Sequence, residues 1–194
     1  DLFLRDNCLF KLDSIVFLNL YNLTNLDLSF NVFVRFKSEY LNHFTRRNLK
    51  KLNLANNNLI NLDCDIFSNL NSLEFLTLEN NFIKTFHPYC FQNLTKLRHL
   101  NLNNNFNLKL EMPNNNVNNT LINLFKDVRE LYLRNTSYQL LGLLDFRGKI
   151  TLDLSLNEID MKILQKIPVN SIRFLYLSNL RYRDFNVLLF NPIR

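Results

Sequence analysis

Residues 73–97 read Leu73-Glu74-Phe75-Leu76-Thr77-Leu78-Glu79-Asn80-Asn81-Phe82-Ile83-Lys84-Thr85-Phe86-His87-Pro88-Tyr89-Cys90-Phe91-Gln92-Asn93-Leu94-Thr95-Lys96-Leu97. Stripped to its regular positions the stretch is Leu73-x-x-Leu76-x-Leu78-x-x-Asn81-x-Ile83-x-x-Phe86, followed by Phe91-x-x-Leu94-x-x-Leu97. Its centre, L-x-L-x-x-N, recurs outward in both directions. The first leucine of each copy falls at Leu2, Leu26, Leu52, Leu76, Leu100, Leu131, Leu152 and Leu175, at intervals of 24, 26, 24, 24, 31, 21 and 23 residues. Eight copies at near-constant spacing across 194 residues are the mark of a repeat architecture.

Each position has a physical reason. L-x-L has period 2, so its two leucines point one way and the residues around them the other. Strands from successive copies can therefore pair in parallel with the leucines turned inward. No single copy can bury its apolar face alone, and stability becomes a sum of unit and neighbour contributions. Just past each strand the chain bends inward and leaves backbone groups without sheet partners. Asn7, Asn31, Asn57, Asn81, Asn105 and Asn157 occupy that bend. A carboxamide both donates and accepts, so a stack of them can satisfy neighbouring turns. Thr136 and Leu180 stand in the same column; threonine still hydrogen-bonds there and leucine does not, which predicts a ladder fraying at its C-terminal end.

Composition agrees and excludes much else. The chain holds 42 Leu and 34 Asn but 2 Gly, 4 Pro and no Trp. Neither G-x-x-x-x-G-K-[ST] nor G-x-G-x-x-G occurs, so phosphate-cradling loops of those kinds are absent. With 47% hydrophobic residues the chain is not of the disordered class, yet no apolar run approaches the roughly 18 residues of a membrane span. The N-terminus lacks the basic and small-residue features of a signal peptide.

The repeat is identified as the leucine-rich repeat, covering essentially the whole chain. The resemblance implies an α/β fold: a curved, right-handed solenoid with a parallel β-sheet on its concave face, forming one domain over residues 1–194. The tails Phe17-Leu20-Leu23, Phe67-Leu70-Leu73 and Phe91-Leu94-Leu97 match the "typical" 24-residue class of extracellular receptors and matrix proteins. Among those families the mixture of regular and irregular repeats is most similar to Toll-like receptor ectodomains. That resemblance implies a cell-surface, glycosylated, signalling receptor, with a membrane-spanning helix and a signalling domain beyond Arg194. An intracellular scaffold or regulator of the same fold is the alternative.

The departures from the pattern are few. The interval from Leu100 to Leu131 is 7 residues above the norm and contains Pro113 and Asn114-Asn115-Asn116-Val117-Asn118-Asn119, which is expected to loop out. Both ends lack the caps that repeat arrays need. The chain therefore reads as an uncapped fragment of a longer protein, expected to aggregate or dimerise alone through the coils at Leu2/Leu4 and Leu175/Leu177. Three cysteines, Cys8, Cys64 and Cys90, leave at least one thiol free. Cys64 and Cys90 fall at offsets 12 and 14 of adjacent coils, close enough to bridge, though free thiols are the expectation. His87 falls over Asp63, which reads as a surface contact; His87-x-x-Cys90 supplies too few ligands for a metal site.

Sequons stand at Asn22, Asn93, Asn118 and Asn135, about the number composition alone would produce; Asn22 and Asn93 fall on the outer arc. Net charge is +6, but the densest run, Arg46-Arg47-Asn48-Leu49-Lys50-Lys51, reads as solvated surface rather than a nucleic-acid stripe. The open face can be written out in columns. Before the first leucine stand Asp1, Asn25, Lys51, Phe75, His99, Glu130, Thr151 and Phe174. Between the leucines stand Phe3, Asp27, Asn53, Thr77, Asn101, Tyr132, Asp153 and Tyr176. After them stand Arg5, Ser29, Ala55, Glu79, Asn103, Arg134, Ser155 and Ser178. Its middle reads as small and polar. Tyr132, Arg134, Phe174 and Tyr176 at its C-terminal end are the candidate ligand contacts, since aromatic and arginine side chains dominate protein interfaces. His43, His87 and His99 lie in different coils, so no triad or carboxylate pair forms, and an enzyme is not expected. The expected role is recognition of a protein ligand or co-receptor, with a homo- or heterodimer as an open option. Neither a cofactor nor nucleic acid is expected, and any membrane contact would come through segments outside the chain.

Overall fold

The computed structural model describes residues 1–13, 15–41, 43–106, 108–110, 125, 127–136, 148–159, 167 and 169–180. The polar insertion around Asn114–Asn119, including the Asn118 sequon, lies outside the described residues.

Strands form where the L-x-L segments predict them. They are β1 (Leu2–Phe3), β2 (Asn25–Asp27), β3 (Lys51–Asn53), β4 (Phe75–Thr77), β6 (His99–Asn101), β8 (Glu130–Tyr132), β9 (Ile150–Asp153) and β10 (Ile172–Tyr176). They make one parallel sheet in that spatial order. Leu26, Leu52, Leu76, Leu100, Leu131 and Leu152 stand in register across it. The register slips once, between Ile172 and Phe174 in β10, then resumes with Leu175 opposite Leu152. A second, two-stranded parallel sheet of β5 (Thr85–Phe86) and β7 (Lys109–Leu110) follows the inward bend.

Short 3-10 turns at Ser38–Tyr40, Cys64–Phe67 and Pro88–Phe91, with helix α1 at His43–Asn48, return the chain to the next strand. The phenylalanine that opens each tail motif lies in the core: Phe17, Phe67 and Phe91 are all buried. Phe67 and Phe91 touch at 5.2 Å between ring centroids, and Phe91 continues to Phe125 at 6.0 Å. Such rings each bury roughly 150–250 Å² and tie one coil to the next. Leu20, within the first tail, is instead exposed.

Two expectations are corrected. Cys64 and Cys90 are joined by a disulfide, and only Cys8 among the three is free. The offset difference of two does not separate them, because each lies in a 3-10 turn and the two turns stack, leaving the Cα atoms 4.3 Å apart. Arg46 is not simply solvated: it is half-buried, and its guanidinium donates to the carbonyls of Leu41 (2.8 Å) and Ser38. The Ser38 carbonyl, at the start of the 3-10 turn, also accepts from the Leu41 N–H, so the guanidinium ties both ends of this turn to α1.

Candidate recognition face

The bend after each strand is built from two adjacent columns. Asn31, Asn57, Asn81, Asn105 and Asn157 are buried. Nδ2 of Asn57 donates to the carbonyls of Leu28, Leu54 and Ala55 at 3.0–3.2 Å, while its Oδ1 accepts from the Phe33 N–H at 3.1 Å. Asn81 repeats the pattern with Leu54, Leu78, Glu79 and the Leu59 N–H, and Asn105 with Leu78, Leu102, Asn103 and the Ile83 N–H. Each amide thus binds its own coil and the one before it. Asn7 is exposed and donates to the Arg5 carbonyl. Thr136 donates its hydroxyl to Leu133 and its N–H to Asn157 Oδ1.

The residue just before each of these has a left-handed backbone: Asp6, Phe30, Asn56, Asn80, Asn104, Asn135, Leu156 and Asn179, with φ between 52° and 60°. Asparagine tolerates that region better than other side chains bearing a Cβ. Four of these asparagines chain together through their own amides. Asn80 donates to Asn56 Oδ1 (3.0 Å), Asn104 to Asn80 (2.7 Å) and Asn135 to Asn104 (3.2 Å). This second ladder went unread in the sequence, where consecutive asparagines such as 56–58 and 103–105 do not announce which performs which task. The Asn135 sequon therefore sits inside it, whereas Asn22 and Asn93 are exposed.

Register places the face residues side by side. Tyr132 stands opposite Asp153, and Asp153 opposite Tyr176, so a tyrosine–carboxylate–tyrosine row crosses β8, β9 and β10. Phe174 faces Thr151, which faces Glu130, which faces His99. His99 Nδ1 lies 2.6 Å from Glu130 Oε2, and its ring packs against Phe75 (5.6 Å) and Tyr132 (5.3 Å). Burial, together with the negative charge of Glu130 and the neighbouring Tyr176 and Asp153, raises the Tyr132 phenol above its ordinary pKa of 10.0.

Of the four candidate contacts, Tyr132 and Tyr176 are brought together across Asp153. Phe174 is 51% exposed and carries Arg173 over its ring at 5.3 Å; Arg134 is exposed, with its N–H bonded to Asn103 Oδ1. The centre of the face is less plain than its columns suggest, because Phe75, His99 and Tyr132 form a continuous run of rings. Phe75 is 36% exposed and Lys51 Nζ lies 4.8 Å from its centroid. The run passes from the column before the first leucine, which holds Phe75 and His99, into the column between the leucines, which holds Tyr132.

His87 and Asp63 line one recess beside the disulfide. Among the described residues no group of three or more His, Cys, Asp or Glu side chains converges as a metal would need, and no helix is long and apolar enough to cross a membrane.

The leucine-rich-repeat family model matches residues 47–106. No curated protein matches significantly. Solved structures do. A chain of the Drosophila Toll–Spatzle complex is 27% identical with a TM-score of 0.60, covering 79% of this chain and 24% of that one. A chain of the LRIM1/APL1C complex is 17% identical at TM-score 0.65, covering 92% of this chain and 39% of that one. The leucine-rich-repeat domain of APL1B is 19% identical at TM-score 0.68, covering 98% of this chain and 60% of that one. These last two likenesses concern the fold alone, and the chain spans between 24% and 60% of the length of the three. With an in-register parallel sheet, most of its bends closed by a buried amide, and the repeat model matched over residues 47–106, the chain folds as a leucine-rich-repeat solenoid that resembles part of Toll.

Proposed function

We propose that the chain is a non-enzymatic recognition module from an extracellular leucine-rich-repeat receptor, one that docks a protein ligand or co-receptor on the open sheet face around Tyr132, Arg134, Phe174 and Tyr176. The observation that carries this reading is the exposure of large rings on that face: Phe174 and Tyr176 remain 51% and 49% exposed although their own sheet needs neither for packing. Rings of this kind supply contact area at low entropic cost and recur at binding hot spots. Two of the similar structures, Toll–Spatzle and LRIM1/APL1C, are complexes of proteins, which supports a protein partner here. The Cys64–Cys90 bridge supports an oxidising, extracellular setting.

The test is a photo-crosslinking amino acid placed at position 176 of the natural full-length protein in its own cells, with position 96 on the outer arc as the control. A discrete protein adduct at 176 and none at 96 is expected. Equal adducts at the two positions, or none at either, would refute the reading.

A further inference from the structure

The proposed recognition face has a chemistry of its own, and it runs against that of the whole chain. The protein carries a net charge of +6. From β4 onward, however, the described part of the open face carries Glu79, Glu130 and Asp153 against two guanidiniums, that of Arg134 and that of Arg173 over Phe174. Among the described residues the only salt bridges are Lys37–Glu39 and His99–Glu130, and neither Glu79 nor Asp153 has a cationic partner there. Asp153 holds one oxygen on the Ser155 N–H, and Glu79 one on the Asn101 amide. Both keep acceptor capacity toward solvent.

The rings tell the same story independently. Several exposed phenylalanines already hold a cation from their own chain: Arg5 over Phe30 at 4.3 Å, Lys51 over Phe75 at 4.8 Å and Arg173 over Phe174 at 5.3 Å. Tyr132 and Tyr176 have no lysine or arginine over them among the described residues. They stand two strands apart, about 10 Å between backbones at ordinary strand spacing, with Asp153 midway. A guanidinium or ammonium placed above Asp153 would lie within about 6 Å of each ring, the range of cation–π attraction, while forming a charge-assisted hydrogen bond to the carboxylate.

We infer that the Tyr132–Asp153–Tyr176 row is a seat for a cationic side chain, and that the partner of this face presents a basic, arginine- or lysine-bearing segment. Glu130, two residues before Tyr132 on the same face and holding His99 through one oxygen, gives a second basic residue its counter-charge through the other. This inference rests on the recognition reading above and narrows it to one partner chemistry.

The test uses fluorescein-labelled (Arg-Gly)5 and (Glu-Gly)5 peptides, titrated by anisotropy against the full chain. Bulk charge and local face predict opposite winners. The expected result is tighter binding of the arginine peptide, weakened about tenfold by Glu130→Gln with Asp153→Asn and unchanged by Glu39→Gln with Glu158→Gln elsewhere on the surface. Asparagine at 153 keeps the acceptor for Ser155, so the turn is preserved. On the unaltered chain, the arginine peptide should also protect Tyr132 and Tyr176 from nitration by tetranitromethane. Preference for the glutamate peptide, or arginine binding indifferent to the double substitution and without tyrosine protection, overturns the inference. A position-176 adduct in cells alongside such a result would leave the recognition reading standing and remove only the basic partner.

Discussion

Nδ2 of Asn104 lies 2.7 Å from Oδ1 of Asn80, and both residues hold a left-handed backbone at the same bend of successive coils. One residue type thus meets two demands together, a backbone region that favours asparagine and an amide that can pass a hydrogen bond along the solenoid. Where the column holds neither asparagine nor the comparably tolerant aspartate of Asp6, at Phe30 and Leu156, the backbone stays left-handed with φ of 56° and 59°. Those coils bear a conformational cost of roughly 1–2 kcal/mol each.

Leu156→Asn should therefore stabilise the protein. The new amide would stand next to Asn135, the current end of the ladder, and relieve the strained backbone. A gain of about 1 kcal/mol is expected after the loss of some leucine packing. A thermal melt showing an unchanged or lower midpoint would contradict it.

The inner ladder predicts the opposite sign. Asn81→Ala strips the Leu54, Leu78 and Glu79 carbonyls and the Leu59 N–H of a common partner in a buried site. A loss of about 3 kcal/mol is expected in urea unfolding. Asn81→Asp should cost more, since a carboxylate offers those carbonyls no hydrogen. Asn7→Ala, at an exposed position, should change stability little. Equal effects at positions 7 and 81 would mean that the ladder does not support the bends.

The Cys64–Cys90 bridge closes a loop of 26 residues. Constraining the unfolded chain in this way is worth about 3 kcal/mol. The paired substitution Cys64→Ser with Cys90→Ser should lower stability by that order. Before reduction, thiol titration of the denatured protein should find one reactive group, from Cys8. Three reactive thiols in protein secreted from a eukaryotic host would show that the bridge does not form.

The architecture was legible because its cause is periodic. A leucine two residues from another, repeated about every 24, has few ways to be buried other than in stacked parallel strands. The ladder asparagines were legible for the same reason, being fixed three residues past the second leucine. Interactions that run between coils were not. Whether Cys64 meets Cys90 depends on how the irregular returns stack, and whether Arg46 bonds to Leu41 within one return depends on how that return folds; the returns have no fixed length. The face shows both sides of this. Tyr132 and Tyr176 stood out by residue type, whereas Asp153, written between them in the same column, carried no signal of its own, and the register confirms its place. His99 and Phe75 likewise were written in a column with no sign that their rings meet.

Glycan occupancy offers a discriminating check on the extracellular reading. Asn22 and Asn93 are exposed and free to meet the transferase, whereas the Asn135 amide is committed to Asn104 at a left-handed bend. Glycopeptide mass spectrometry of the natural full-length protein from its own cells should find sugar at Asn22 and Asn93 and none at Asn135. A glycan on Asn135 would mean that the second ladder is broken in the folded chain, and bare Asn22 and Asn93 would argue against passage through the secretory route.

Tyr132 supplies the pH prediction. Its phenol is raised first by burial, then by Glu130, Tyr176 and Asp153, all of which disfavour the phenolate. The folded chain therefore holds this proton at pH values where the unfolded chain has released it. A group with a raised folded pKa stabilises fully below its unfolded value, here 10.0, and the contribution disappears as pH climbs through the folded value. Stability should thus fall as pH rises above about 10, and fall less steeply in Tyr132→Phe. Ultraviolet titration of phenolate, taken as the difference between the natural chain and Tyr132→Phe, should show this tyrosine ionising above the normal range. Glu130→Gln should bring it part of the way back, because burial remains. A Tyr132 that titrates normally would mean that the row across β8, β9 and β10 is more open to water than the structure has it, and the cation seat would lose the desolvation that strengthens it.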